Sequence, residues 1–251
     1  MASRPLISLD VHAGVVRPLK TAEVVARQIL QEIVDSGLGT GSSLPPEASM
    51  MATYDVSRES LREDLRLLEV QGFITIRRGP GGGPMVGTVD PAAFGRMASM
   101  FFQMAGATYG ELYDAWSAAE VLVAELAARH PDAATRAEAM APFTGDGPVT
   151  EESSMGTQAQ FHAALAALAG NTVLEITMQL FGQIVSHHAV VAGDPTTPMN
   201  EVFHDHVELA RAVRSGHPRV ARRVMENHVT MVVDYLQQRP ELARDRLVAW
   251  I

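Results

Sequence analysis

Residues 41–83 read GSSLPPEASMMATYDVSRESLREDLRLLEVQGFITIRRGPGGG, and few folds accommodate that run. A helix is expected after Pro45 or Pro46, because proline's fixed φ suits a first helical turn. It should end near Tyr54-Asp55. Ser57 then opens a second helix, its hydroxyl placed to accept from a free backbone N–H. Within that second helix Leu61, Leu65 and Leu68 share one side, and Arg58, Arg62 and Arg66 recur at i, i+4 and i+8 on the other. Gln71-Gly72 stops the helix and Phe73–Ile76 forms a short β run. GPGGGP makes a tip, and Met85-Val86-Gly87 returns as the second strand. Helix, turn, helix and glycine-tipped hairpin together make a winged helix-turn-helix.

The chemistry of that unit points to duplex DNA. A helix with an apolar back and an arginine front fits a major groove, where arginine can donate two bonds to a guanine edge. Ser57, Ser60 and the N–H groups at the helix start can hold phosphates. Arg77 and Arg78 beside the bare backbone of Gly79 can bring the wing to the minor groove or the DNA backbone. The competing reading is a solvated face, with the arginines paired to Glu59, Glu63 and Glu69. The turn and the wing in register favour DNA.

A net charge of −9 looks wrong for a DNA binder, so its distribution matters. Residues 1–90 carry 9 Arg/Lys against 11 Asp/Glu, and residues 91–251 carry 11 against 18. The acidity therefore lies mostly in the second part, and a few focused arginines still suffice for binding. The absence of cysteine excludes disulfides and thiolate metal sites. No stretch approaches eighteen apolar residues without a charge or glycine, and no basic-then-apolar leader opens the chain. A cytoplasmic protein with no membrane contact is expected.

Residues 1–17 lack a period and read as a flexible arm. Residues 18–89 form the DNA-binding domain, with a first helix from about Lys20 to Asp35, and Asp90-Pro91 marks the boundary. Residues 90–251 read as all helical, with patterns over 91–105, 108–129, 151–169, 171–191, 198–215 and 217–238. A loop around one short helix fills 131–150, and a last helix is expected within 239–251. Met97, Met100, Met104, Met155 and Met178 offer this domain an adaptable apolar lining, most of it core. The fold class is mainly α, a winged helix-turn-helix with a small β wing followed by a helical bundle that binds an effector.

G-x-x-L-P-x-E, then V-S-R-x-x-L-R, then a G-F-I…R-x-G-P-G-G-G wing resembles the GntR family of bacterial regulators. A helical domain of this length resembles its FadR-type subgroup, which carries an FCD domain. The resemblance spans roughly residues 18–238. It implies a homodimer that binds a short pseudo-palindromic operator, probed by Arg58 and Arg62 and by Arg78-Gly79 of the wing, with a small metabolite altering affinity. Where the family often places a DNA-contacting Arg after L-P-x-E, this chain has Ala48.

The same resemblance marks His162 in QAQFHAAL, His206 in FHDHVELARAV and His228 in VMENHVT as metal ligands. Three neutral imidazoles suit Zn²⁺ or Ni²⁺ and leave positions open for an effector's oxygens. The subgroup's fourth ligand, an Asp one turn before the first His, is Gln158 here. Its R-x-x-E motif reads Ser117-Ala118-Ala119-Glu120, so the Arg expected to meet an effector carboxylate is Ser117. The effector-binding set is then Ser117, Glu120, Gln158, His162, His206 and His228. His187, His188 and His204 are further polar groups. The changes suit either a small organic acid or a fatty, apolar one.

Two other functional classes compete with a ligand-responsive repressor. One is a constitutive DNA-binding regulator whose ligand and metal site has decayed. The other is a metal-dependent enzyme fused to a DNA-binding head, with Glu226 or Asp205 assisting the histidines. No HExxH, nucleophile elbow, phosphate loop or paired-carboxylate motif supports catalysis, so a non-enzyme is expected.

Overall fold

The computed structural model describes residues 21–79, 81–88, 90–145, 154–191 and 199–251. The arm expected over 1–17 and the side chain of Met155 lie outside the described residues. The chain divides into two compact units, one ending at Ala93 and the other beginning at Phe94.

In the first unit α1 (Thr21–Asp35), α2 (Glu47–Tyr54) and α3 (Arg58–Val70) precede a hairpin of β1 (Ile74–Arg77) and β2 (Gly83–Val86). Helices α1 and α3 meet because each carries an apolar stripe at helical spacing. Val25, Ile29 and Ile33 face Leu61, Leu65 and Leu68, and all six are buried with Met50 and Ile74. Pro46 stands at the N-cap of α2 rather than inside its first turn. Helix α2 stops at Asp55, whose left-handed backbone (φ 51°, ψ 50°) is one that a short polar side chain tolerates. Ser57 then caps α3, its hydroxyl accepting from the Ser60 N–H at 3.2 Å.

The hairpin is antiparallel, with Ile74 opposite Val86 and Arg77 opposite Gly83. Its tip needs glycine at position 82, where a Cβ would lie 2.2 Å from the Arg77 carbonyl oxygen. The loop before α2 adds to the sheet edge. Leu44 N–H donates to the Pro84 carbonyl and Val86 N–H to the Ser42 carbonyl, both at 2.9 Å. These bonds tie the wing to the start of α2.

The second unit holds α4 (Pro91–Ala105), α5 (Tyr109–Ala128), α6 (Ala133–Met140), α7 (Ser154–Leu168), α8 (Thr172–Val191), α9 (Met199–Arg214) and α10 (Pro218–Leu236). Helix α5 is its centre, packed by α7, α8, α9 and α10. A capping box of Thr108 and Glu111 opens α5. Because neighbours surround it, α5 buries Trp116 and Glu120 as well as Leu112, Val123 and Ala127. Among the described residues no helix is long and apolar enough to cross a membrane.

Two expectations are corrected here. Residues 239–251 form no helix beyond a single 3-10 turn at Pro240–Leu242. The rest runs extended, and the Arg246 and Arg244 carbonyls accept from the Tyr109 and Gly110 N–H groups at 2.8 and 2.9 Å. The tail thereby satisfies donors that the first turn of α5 leaves free, while Val248 is fully buried. A helix would withdraw both contributions. The second correction concerns the methionines. Met178 is core, but Met97, Met100 and Met104 are 43–46% exposed on the outer side of α4. The inner side of α4 is taken by small residues, Gly95, Ala98 and Ser99, which let the backbone approach α8 and the tail closely.

Candidate DNA-reading face and histidine centre

Helix α3 presents Arg58, Arg62 and Arg66 to solvent and buries the leucines behind them. Ser57 is exposed at its start and Ser60 is half-buried. Arg77, Arg78 and Gly79 are exposed on the wing. Arg62 is held from α2, its Nε lying 3.2 Å from the Glu47 carboxylate. That partner is the Glu of the L-P-x-E motif, not one of the acidic residues on α3 itself. The pair is solvated and adds little stability, yet it fixes where the guanidinium starts from.

Asp64 lies on the inner side of α3, fully buried, and neither carboxylate oxygen has a hydrogen-bond partner. Burial, reinforced by the charge of Glu63, raises its pKa to about 6, against a weaker opposing pull from the Ala26 backbone. A carboxylate at an i+3 position from Leu61 is a local conflict in an otherwise apolar stripe.

In the second unit three imidazoles converge from three helices. His162 comes from α7, His206 from α9 and His228 from α10, each offering one nitrogen within 4.8 Å of the others. His206 and His228 stand where the core stripes of their helices would place apolar residues, in line with Leu209 and Val213 on α9 and with Met225 and Ala221 on α10. Their Nε2 atoms are 3.3 Å apart. Ligands at 2.0–2.1 Å from a tetrahedral ion lie about 3.3–3.4 Å from each other. His206 stacks on the buried Phe161 ring at 4.3 Å.

Carboxylates stand behind two of the rings. Glu120 Oε2 is 3.0 Å from His162 Nδ1, and its other oxygen accepts from Trp116 Nε1 at 3.1 Å. Asp205 lies 3.4 Å from His228 Nδ1, an ion-pair distance without hydrogen-bond alignment. A carboxylate on Nδ1 leaves Nε2 as the nitrogen that turns inward, the arrangement that orients metal-binding histidines. Burial and the two neighbouring rings hold the His206 pKa far below the usual histidine range. Burial also lowers His228. Burial opposes protonation of His162 too, but the charge and hydrogen bond of Glu120 outweigh it and raise its pKa. The donor set fits a divalent transition ion: three convergent nitrogens, two of them kept neutral, with carboxylates behind.

Residues 21–82 match the family described as bacterial regulatory proteins, gntR family, and residues 111–231 match the FCD domain. The chain belongs to the GntR family and carries an FCD domain. It is 25% identical over 226 residues to the HTH-type transcriptional repressor NanR of Edwardsiella tarda, covering 86% of each chain. Against NanR of Escherichia coli K12 the identity is 24% over 241 residues, 92% of this chain and 89% of that one. The solved structure of a Streptococcus agalactiae GntR shares the fold, with a TM-score of 0.62 at 21% identity over 84% of this chain and 98% of that one. This GntR-family chain is a DNA-binding, ligand-responsive transcriptional regulator and not an enzyme.

Other expected site residues fall elsewhere in the GntR regulator's helical unit. Ser117 lines an open groove of about 400 Å³ between α5 and α10, beside Val121, Glu125, Arg222 and Glu226. Arg222 bridges Glu125 at 3.5 Å and Glu226 at 2.9 Å there. Gln158 is half-buried on α7, one turn before His162. His187 and His204 are exposed. His188 is buried with its ring edge-on to Tyr109, and both nitrogens lack partners. Burial and the neighbouring His187 lower its pKa to about 4. Sequence reasoning missed Glu47 as the partner of Arg62, Glu120 as the partner of His162, and the burial of Asp64. The first two connect residues 15 and 42 positions apart, and no local period reports such pairs.

Proposed function

We propose that this regulator is a cytoplasmic, homodimeric repressor whose helical unit binds a divalent metal, Zn²⁺ or Ni²⁺, through His162, His206 and His228. The metal would supply a Lewis-acid centre to which an effector's carboxylate oxygens bind. The observation that carries this is the 3.3 Å separation of His206 and His228 Nε2, with His162 completing the triangle. Gln158 stands one turn from His162 as a further, neutral ligand, and Glu120 acts through His162 by fixing its tautomer.

The effector is a small organic acid. A fatty acid would need an acyl cavity, and the methionines available to line one, Met97, Met100 and Met104, lie on the outer side of α4. The open metal positions recognise a carboxylate without the arginine that Ser117 replaces. On DNA, Arg58, Arg62 and Arg66 enter the major groove, Ser57 and Ser60 hold phosphates, and Arg77, Arg78 and Gly79 place the wing on the backbone or minor groove. Two such heads on one dimer meet the two halves of a pseudo-palindrome. Effector binding acts by its differential affinity for the two arrangements of the dimer.

The test is fluorescence anisotropy on an operator selected from random duplexes, with protein stripped by chelator and then reloaded with Zn²⁺ or Ni²⁺. Release of DNA by small carboxylic acids only from the reloaded protein supports the proposal. Release that is indifferent to metal contradicts it.

A further inference from the structure

Helix α4 carries a bare apolar seam. Phe94, Met97, Phe101 and Met104 follow the 3-4-3 spacing of coiled-coil contact positions, and Met100 lies beside them. All five are 43–58% exposed. The opposite side of the same helix is already committed. Ala98 and Ser99 are buried, Gly95 lies against Gln183 of α8, and Ser99 Oγ accepts from the Ile251 N–H at 3.3 Å. The exposed side is therefore a second interface, not a poorly packed core.

We infer that this seam is where a second copy of the chain docks, α4 against α4, an inference that rests on the homodimer proposed above. Three observations select that occupant. First, the side chains are uncharged and flexible or aromatic, so the surface is complementary to itself, as a two-fold interface requires. Second, no Asp or Glu occurs between Asp90 and Glu111, although the chain carries a net charge of −9. Two acidic copies thus meet where repulsion is least. Third, the area is of the right order. Five large side chains left about half bare expose on the order of 400–500 Å² per copy. Two copies then approach the roughly 1,000 Å² that a specific interface buries, before the flanking Arg96 stem and Gln103 contribute.

Sedimentation velocity of wild type, of Met97→Glu/Phe101→Glu and of Val173→Glu tests the inference. Val173 is 73% exposed on α8 and serves as the surface control. The expected result is a dimeric wild type and a dimeric control, with the double variant monomeric at the same concentration and of unchanged helicity by circular dichroism. A wild type that is itself monomeric would overturn the homodimer as well. A double variant that stays dimeric would overturn the α4 seam alone. The chain has no cysteine, so single Met97→Cys, Met100→Cys and Phe101→Cys variants give an independent reading. Rapid oxidative cross-linking at one or more of these positions, and not at Val173→Cys, is expected. Cross-linking at none of the three would remove the seam.

Discussion

His206 Nε2 and His228 Nε2 face each other across 3.3 Å in the interior of the helical unit. Two neutral imidazoles so placed share either a proton or a cation, and only a cation also employs the nearby nitrogen of His162. Zn²⁺ or Ni²⁺ is therefore expected to raise the melting temperature of the wild type. The gain is equivalent to about 2.7 kcal/mol when the free ion is a hundredfold above Kd. His206→Ala and His228→Ala should abolish that rise in a calorimetric scan. An equal rise in both variants would place the ion elsewhere.

Glu120 positions His162 from behind, at 3.0 Å. In Glu120→Gln the amide oxygen can still accept from Trp116, but the charge on His162 is gone. Metal affinity is expected to fall roughly 10- to 100-fold, measured by competition with a chromogenic chelator, with the far-ultraviolet spectrum unchanged. Unaltered affinity would leave Glu120 with only a packing role.

Arg62 and its partner Glu47 separate reading from stability. Arg62→Ala should cost about 1–3 kcal/mol of affinity if it reads a base edge, and it should relax sequence preference at one position of the selected operator. Glu47→Gln removes a solvated pair and should change unfolding free energy by less than about 1 kcal/mol. An Arg62→Ala protein with full affinity and unchanged preference would remove Arg62 from the reading set.

Asp64 makes the stability of the reading unit fall as pH rises. Its folded pKa of about 6 exceeds the model value of 3.8, so between pH 4 and 6 the folded state holds a proton that the unfolded chain has released. Stability is lost through that window, and the penalty is complete above it. Asp64→Ala is expected to stabilise this unit at pH 7.5 by on the order of 2–3 kcal/mol, an advantage that disappears by pH 4. Denaturant unfolding at both pH values checks it. A variant less stable than wild type at pH 7.5 would show that the carboxylate has a partner after all.

Much of this architecture was legible because it is periodic or punctuated. The leucine and arginine stripes of α3, the Ser57 cap and the Gln71-Gly72 stop are local signals, and the structure realises each of them. The helical patterns beyond residue 90 likewise match α4, α5 and α7 to α10 to within a few residues. What was not legible is tertiary. Residues 239–251 carry no signal that they pair with the start of α5, so a helix was the default. Met97 and Met104 look identical in sequence to core methionines such as Met178, because apolar spacing does not say which side is covered. The histidines were found through a family motif, but their carboxylate partners come from other helices or a neighbouring turn, and only packing identifies them.

Native mass spectrometry of the protein as purified, without chelator, tests the central claim most directly because it reads stoichiometry and metal together. A dimer carrying one transition-metal ion per chain is predicted, with the ion lost in His206→Ala. A wild type that is metal-free, and that stays so after exposure to Zn²⁺ and Ni²⁺, would contradict the account of the histidine centre.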